Sequence, residues 1–212
     1  MVARPGSFAV VLPVKSPGTG KSRLSTLADE DRRRLAAAFA ADVAASCLAT
    51  PAVGLLVIVS EDPVFAASLA ADGDVALGDP GGGLNAALRH GADHARTVRP
   101  DLQPAALLAD LPALTSGDLT AALEHAASRT GSWFVADADE TGTTLYTAPH
   151  DEFAPRFGAG SAGAHLAGGA QPLPGVLPSL RRDVDDLDGL AAAVALGVGP
   201  ATAAAVAALA LT

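Results

Sequence analysis

The chain has 212 residues, of which 50% are hydrophobic, 4% aromatic and 17% charged, with a formal net charge of −9. That length supports one domain with a core of Ala, Val and Leu, and the apolar fraction excludes a disordered chain. The acidic surface excludes general affinity for nucleic acid or acidic membranes, so an anionic ligand needs a local cluster of cations, backbone N–H groups or metal.

Met1 to Gly6 has no signal-peptide organisation, which points to the cytoplasm. Phe8 to Val14 reads as a strand and Lys15 to Ser25 as a polar loop. Gly18-Thr19-Gly20-Lys21-Ser22 invites a P-loop reading, but that motif needs a glycine where Lys15 stands. What remains is Lys15, Lys21 and Arg23 directly after a strand, candidates for gripping a triphosphate. A solvated basic loop is the plain alternative.

Asp29 to Leu48 reads as a helix closed by Pro51, with the single cysteine, Cys47, as a small core residue. Gly54 to Val59 is continuous in Leu, Val and Ile, as in a strand buried on both faces. A short helix (Phe65 to Ala71) and a short strand (Val75 to Leu77) follow. Asp79-Pro80-Gly81-Gly82-Gly83-Leu84-Asn85 then turns into a helix that runs to Arg96. Successive glycines let a ligand approach the backbone, so Gly82 and Asn85 are candidates for reading a base. Asn85 can equally hold the loop itself, and an ordinary strand-to-helix turn has the same pattern.

Ala105 to Ala109 is the next strand, running into Asp110-Leu111-Pro112. In open parallel sheets ligands bind beyond the carboxyl ends of the strands, which makes Asp110 a metal-ligand candidate. Thr115 to Asp118 resembles a capping box for a helix from Leu119 to Ser128. Trp133 to Ala136 and Thr143 to Thr147 read as strands around an acidic turn, and Phe153 to Leu180, rich in Gly and Pro, stays unassigned. Thr141-Gly142-Thr143-Thr144 and Phe157-Gly158-Ala159-Gly160-Ser161 offer hydroxyls and open N–H groups able to bind the phosphate and carboxylate of a small acid.

Arg182-Asp183-Val184-Asp185-Asp186 supplies a second metal candidate, Asp183, with Asp185 or Asp186 capping a helix from Leu187 to Val194. Magnesium suits one or two carboxylates completed by water and substrate phosphates. None of the five histidines shows zinc-ligand spacing with another. Leu190 to Leu211 carries no charge, but Gly199-Pro200 breaks it into two short helices rather than a membrane span.

Strands alternating with helices indicate an α/β fold with a mostly parallel sheet, and no linker splits residues 1–212. Val11-Leu12-Pro13-Val14-Lys15, Lys21-Ser22-Arg23-Leu24, Leu84-Asn85, Asp110-Leu111-Pro112-Ala113-Leu114, Gly142-Thr143-Thr144, Arg156-Phe157-Gly158 with Ser161, and Arg182-Asp183-Val184-Asp185 follow one another in an order that is distinctive as a combination. This combination resembles the phosphoenolpyruvate/2-phospho-L-lactate guanylyltransferases of coenzyme F420 biosynthesis. The resemblance implies a Rossmann-like, glycosyltransferase-A-like nucleotidyltransferase fold. It implies Mg2+ on Asp110 and Asp183, phospho-acid contacts from Thr143, Gly158 and Ser161, and GTP phosphates facing Lys15, Lys21 and Arg23. No general base or covalent nucleophile is needed, because the attacking phosphate oxygen is already ionised.

The resemblance also implies that the product passes to a downstream transferase. Members differ over the acceptor (phosphoenolpyruvate, 2-phospho-L-lactate or 3-phosphoglycerate); the Ala- and Gly-heavy, Lys-poor composition looks like that of a high-GC bacterium, for which the resemblance implies phosphoenolpyruvate. A molybdopterin or sugar-phosphate nucleotidyltransferase and a non-catalytic GTP-binding protein are the rivals, and a homodimer is an assembly the sequence leaves open. One departure is Glu140, where the resemblance implies a glycine.

Overall fold

A computed structural model describes residues 6–15 and 27–209. In chain order it contains β1 (Phe8–Pro13), α1 (Asp29–Leu48), β2 (Val53–Ser60), α2 (Pro63–Leu69), β3 (Val75–Gly78), α3 (Leu84–Val98), β4 (Gln103–Leu107) and α4 (Ser116–Ala127). These are followed by β5 (Trp133–Ala136), β6 (Thr143–Thr147), α5 (Ser161–Ala167), β7 (Gln171–Pro172), α6 (Pro178–Arg181), α7 (Leu187–Leu196) and α8 (Pro200–Leu209). The strands form one sheet in the order β3-β2-β1-β4-β6-β5-β7. β6 runs antiparallel to both its neighbours, while the other pairings are parallel. The mostly parallel α/β sheet expected from the alternation of elements is therefore present.

The strands sort their side chains by period two. Phe8, Val10 and Leu12 of β1 and Leu56 and Ile58 of β2 pack with α1, α2 and α4. Ala9, Val11, Leu55, Val57 and Val59 point to the other face, against Ala87, Leu88, Ala92 and Ala95 of α3 and Ala162 of α5. A third cluster lies on the outer side of α1, where Leu35 and Phe39 meet Val184, Leu190, Ala193 and Ala205. The two alanine-rich C-terminal helices thus cover α1, and no described helix is long and apolar enough to cross a membrane.

Two expectations need correction. β4 ends at Leu107 rather than at Ala109, so Asp110 stands three residues beyond the strand. The capping box at α4 is only half formed. The Asp118 N–H donates to Thr115 Oγ1 (3.2 Å), but the Asp118 carboxylate accepts from Ser179 N (2.9 Å) and Ser179 Oγ (2.7 Å) instead of reaching back to the Thr115 N–H. The Thr115 N–H donates to Ser179 Oγ (3.1 Å). A distant hydroxyl took both roles, joining α4 to α6. The segment left unassigned contains α5, β7 and α6 joined by loops.

Candidate active site

A cavity of about 720 Å³ opens at the carboxyl ends of β1 and β2. Its apolar floor is Ala36, Phe39 and Ala40 of α1 with Val59 and Ala87. Lys15, Glu61, Asp79, Gly81, Gly82, Gly83, Asp110 and Asp185 supply its polar wall. The sheet gathers most of them because they follow strand ends, Lys15 after β1, Glu61 after β2, Asp79 to Gly83 after β3 and Asp110 after β4, while Asp185 comes from the segment between α6 and α7. Lys21 and Arg23 lie outside the described residues, so Lys15 is the one of the three candidate cations placed at this cavity.

The turn between β3 and α3 requires its glycines. Gly81, Gly82 and Gly83 have φ of +78°, +84° and +85°, a region that L side chains rarely adopt. The turn is held from one side by Asp79, whose Oδ1 accepts the Gly81 N–H (2.8 Å). Gly82 therefore presents bare backbone to the cavity. Asn85 does not hold its own turn; its amide reaches a distant segment. Its Nδ2 donates to the Phe157 carbonyl (2.9 Å) and its Oδ1 accepts the Phe157 N–H (2.8 Å). Both ends of the amide are committed to the backbone beside Gly158, which couples the turn before α3 to the loop before α5.

Asp110 and Asp183 come from distant parts of the chain and meet. The Val184 N–H donates to the Asp110 carbonyl (3.0 Å), fastening the two acid-bearing segments side by side. Burial pushes the Asp183 carboxyl up to about 6, with further repulsion from Asp110, Asp185 and Asp137, against a stabilising backbone N–H. Asp186, not Asp185, is the helix cap, since it accepts the Gly189 N–H at 2.8 Å. No group of three or more His, Cys, Asp or Glu able to hold a metal exists among the described residues. Two hard carboxylates whose charges repel fit a divalent cation whose remaining positions are filled by water and phosphate oxygens.

Asp137, at the end of β5, was not singled out in the sequence, although the rule that picked Asp110 from its strand end applies to it equally. Its carboxylate accepts from Thr141 N (2.9 Å) and Gly142 N (2.7 Å), and a Cβ at Gly142 would collide with it. That clamp sets the start of β6 and hence Thr143. Thr143 and Ser161 are both buried. They are drawn together by the Ala162 N–H donating to the Thr141 carbonyl (3.1 Å), while the Ser161 N–H donates to the Gly158 carbonyl (3.1 Å). The start of β6, the Gly158 loop and the start of α5 are thus fastened to one another. His165, also missed, sits beneath them, within 3.0 Å of Thr143 Oγ1. Its only sequence signal was a position one helical turn after Ser161.

The arrangement pairs this cavity, with Asp110 and Asp185 in its wall, with a smaller group of hydroxyls and N–H groups around Thr143, Gly158 and Ser161. A family described as "Guanylyl transferase CofC like" matches residues 8–171. The phosphoenolpyruvate guanylyltransferase of Streptomyces scabiei is 50% identical over 210 residues, covering 95% of this chain and 97% of the relative. That of Streptomyces coelicolor is 48% identical over 201 residues, covering 93% and 94%. Among solved structures, 4-diphosphocytidyl-2C-methyl-D-erythritol synthase superimposes with a TM-score of 0.57 at 16% identity, covering 92% of this chain and 100% of that one. The UTP-bound UGPase of Acinetobacter baumannii gives 0.56 at 16% identity, covering 100% and 99%. At that identity the likeness establishes the nucleotidyltransferase-like fold and nothing finer.

Proposed function

Because the chain belongs to the family of CofC-like guanylyl transferases, we propose that it transfers the guanylyl group of GTP to phosphoenolpyruvate, forming enolpyruvyl-2-diphospho-5'-guanosine and pyrophosphate in coenzyme F420 biosynthesis. The reading rests above all on one relation: a relative of that name is 50% identical over 95% of this chain. The cavity supports it, since Lys15, Gly82 and Asp110 line a single space.

In this reading GTP lies in the cavity with its base toward Gly81 to Gly83 and its phosphates toward Lys15, Lys21 and Arg23. Asn85 acts by holding the loop that carries Gly158. Thr143, Gly158 and Ser161 receive the phospho-acid. Asp110 and Asp183 would hold Mg2+, which when bound neutralises phosphate charge and favours departure of pyrophosphate. An oxygen of the acceptor phosphate attacks the α-phosphorus of GTP in line, a new phosphoanhydride bond forms, and the bond from the α-phosphorus to the bridging oxygen of pyrophosphate breaks. The attacking oxygen carries charge at pH 7, so the chain's task is to position two polyanions and offset their repulsion. The product is then a substrate for a downstream transferase.

Pyrophosphate release by the purified protein with magnesium, comparing GTP and ATP against phosphoenolpyruvate, 2-phospho-L-lactate and 3-phosphoglycerate, tests this directly. Release that needs GTP and phosphoenolpyruvate together is the expected result. Release with a different acid would reassign the acceptor, and none with any pair would end the phospho-acid reading. Asp183→Asn should abolish turnover, and unchanged turnover would remove Asp183 from the metal site.

A further inference from the structure

His165 plays no part in the chemistry above, yet its ring meets Thr143, the Arg156 backbone and Phe157. The residue is 1% exposed. Its Nε2 accepts the backbone N–H of Arg156 (2.9 Å). Burial drives its pKa down to about 4, against the pull of the Ser161 carbonyl and with help from the Arg156 charge, so the ring is neutral near pH 7. A neutral imidazole carries one proton, and an Nε2 that accepts leaves that proton on Nδ1. Nδ1 lies 3.0 Å from Thr143 Oγ1, and the tautomer makes it the donor. The ring plane is held by Tyr146 stacked at 4.6 Å, Phe134 stacked at 5.8 Å and Phe157 edge-on at 5.4 Å.

These contacts set a direction. A hydroxyl that accepts from Nδ1–H has its own proton left to give. We infer that His165 is a positioning residue that fixes Thr143 as a hydrogen-bond donor to the phospho-acid, through the chain Arg156 N–H to Nε2, Nδ1–H to Oγ1, and Oγ1–H to an anionic oxygen of the acceptor. The opposite tautomer would consume the threonine proton and turn oxygen lone pairs toward an anion. Because Arg156 lies next to Phe157, which Asn85 grips from the start of α3, the same ring ties the acceptor loop to the nucleotide-side turn. The inference rests on the proposed contact between Thr143 and the phospho-acid.

The test separates the two ring nitrogens. In His165→Asn the side-chain amide reaches the place of Nδ1 and can still donate to Thr143; in His165→Gln it reaches the place of Nε2 and can accept only from Arg156. H165Q is expected to raise the KM for phosphoenolpyruvate roughly tenfold, with the GTP KM changed by less than about twofold, and H165N to raise it far less. Thr143→Val should match H165Q, and the double variant T143V/H165Q should be no worse than T143V. Equal KM values in H165N and H165Q, or effects that multiply in the double variant, would overturn the relay. A T143V enzyme with unchanged KM would instead remove its premise, the Thr143 contact. If the histidine variants do not fold, nitrogen NMR of the wild-type protein reads the tautomer directly: a proton on Nδ1 supports the relay, and one on Nε2 overturns it.

Discussion

At the scale of single residues, two side chains sit where backbone or burial works against them, and each yields a measurable consequence. Glu140, where the resemblance implies a glycine, adopts φ of +60° in the turn joining β5 to β6. Relief of left-handed strain outweighs the added freedom of the unfolded chain, so Glu140→Gly should stabilise the protein by about 0.5–1 kcal/mol in urea denaturation. His165 is held neutral in the fold, with a pKa of about 4 against an ordinary 6.5. Below pH 6.5 the unfolded chain takes up the proton first, so stability falls as pH drops from 6.5 to 4 and this contribution levels off beneath. The loss reaches at most about 3 kcal/mol, and His165→Phe should flatten that part of the stability–pH curve. Cys47, pushed up to about 12 by burial and by the Asp74 charge, is a core residue as its apolar neighbours indicate.

At the scale of elements, a buried carboxylate joins the last helix to the body beside the apolar contacts of Leu35 and Phe39. Asp42 of α1 accepts from Ala201 N (3.0 Å) and Thr202 N (2.8 Å), capping α8 from another helix. Pro200 begins α8 and supplies no N–H at its first position, so the cap falls on the next two amides. Asp42→Ala should cost about 2 kcal/mol and expose the α8 amides to hydrogen exchange before the sheet opens. The pairing spans most of the chain and was not legible from either helix alone. The start and stop of α1 were legible, because acids fill its first turn and Pro51 follows its end. Where a capping residue chose a distant partner, as Asp118 chose Ser179, local pattern failed.

At the scale of the whole molecule, a chain of net charge −9 that binds a polyanion must recover charge balance at the site. In this reading GTP and magnesium together should raise the melting temperature by about 5–10 °C at saturating ligand, and chelation or Asp110→Asn should remove most of that rise. An equal rise with chelator present would separate nucleotide binding from Asp110. The sequence by itself determined the alternation of strands and helices, the placing of Lys15, Gly82 and Asp110 in the segments that follow strands, and the family, because periodicity, turn residues and motif order are local properties of the chain. Only the tertiary structure decided that the Val184 N–H fastens the Asp183 segment to the Asp110 carbonyl, that Asn85 holds the Phe157 backbone, and that His165 reaches Thr143. Those contacts join residues far apart in the chain, and strand order and buried hydrogen-bond demand, which no local window contains, select each partner.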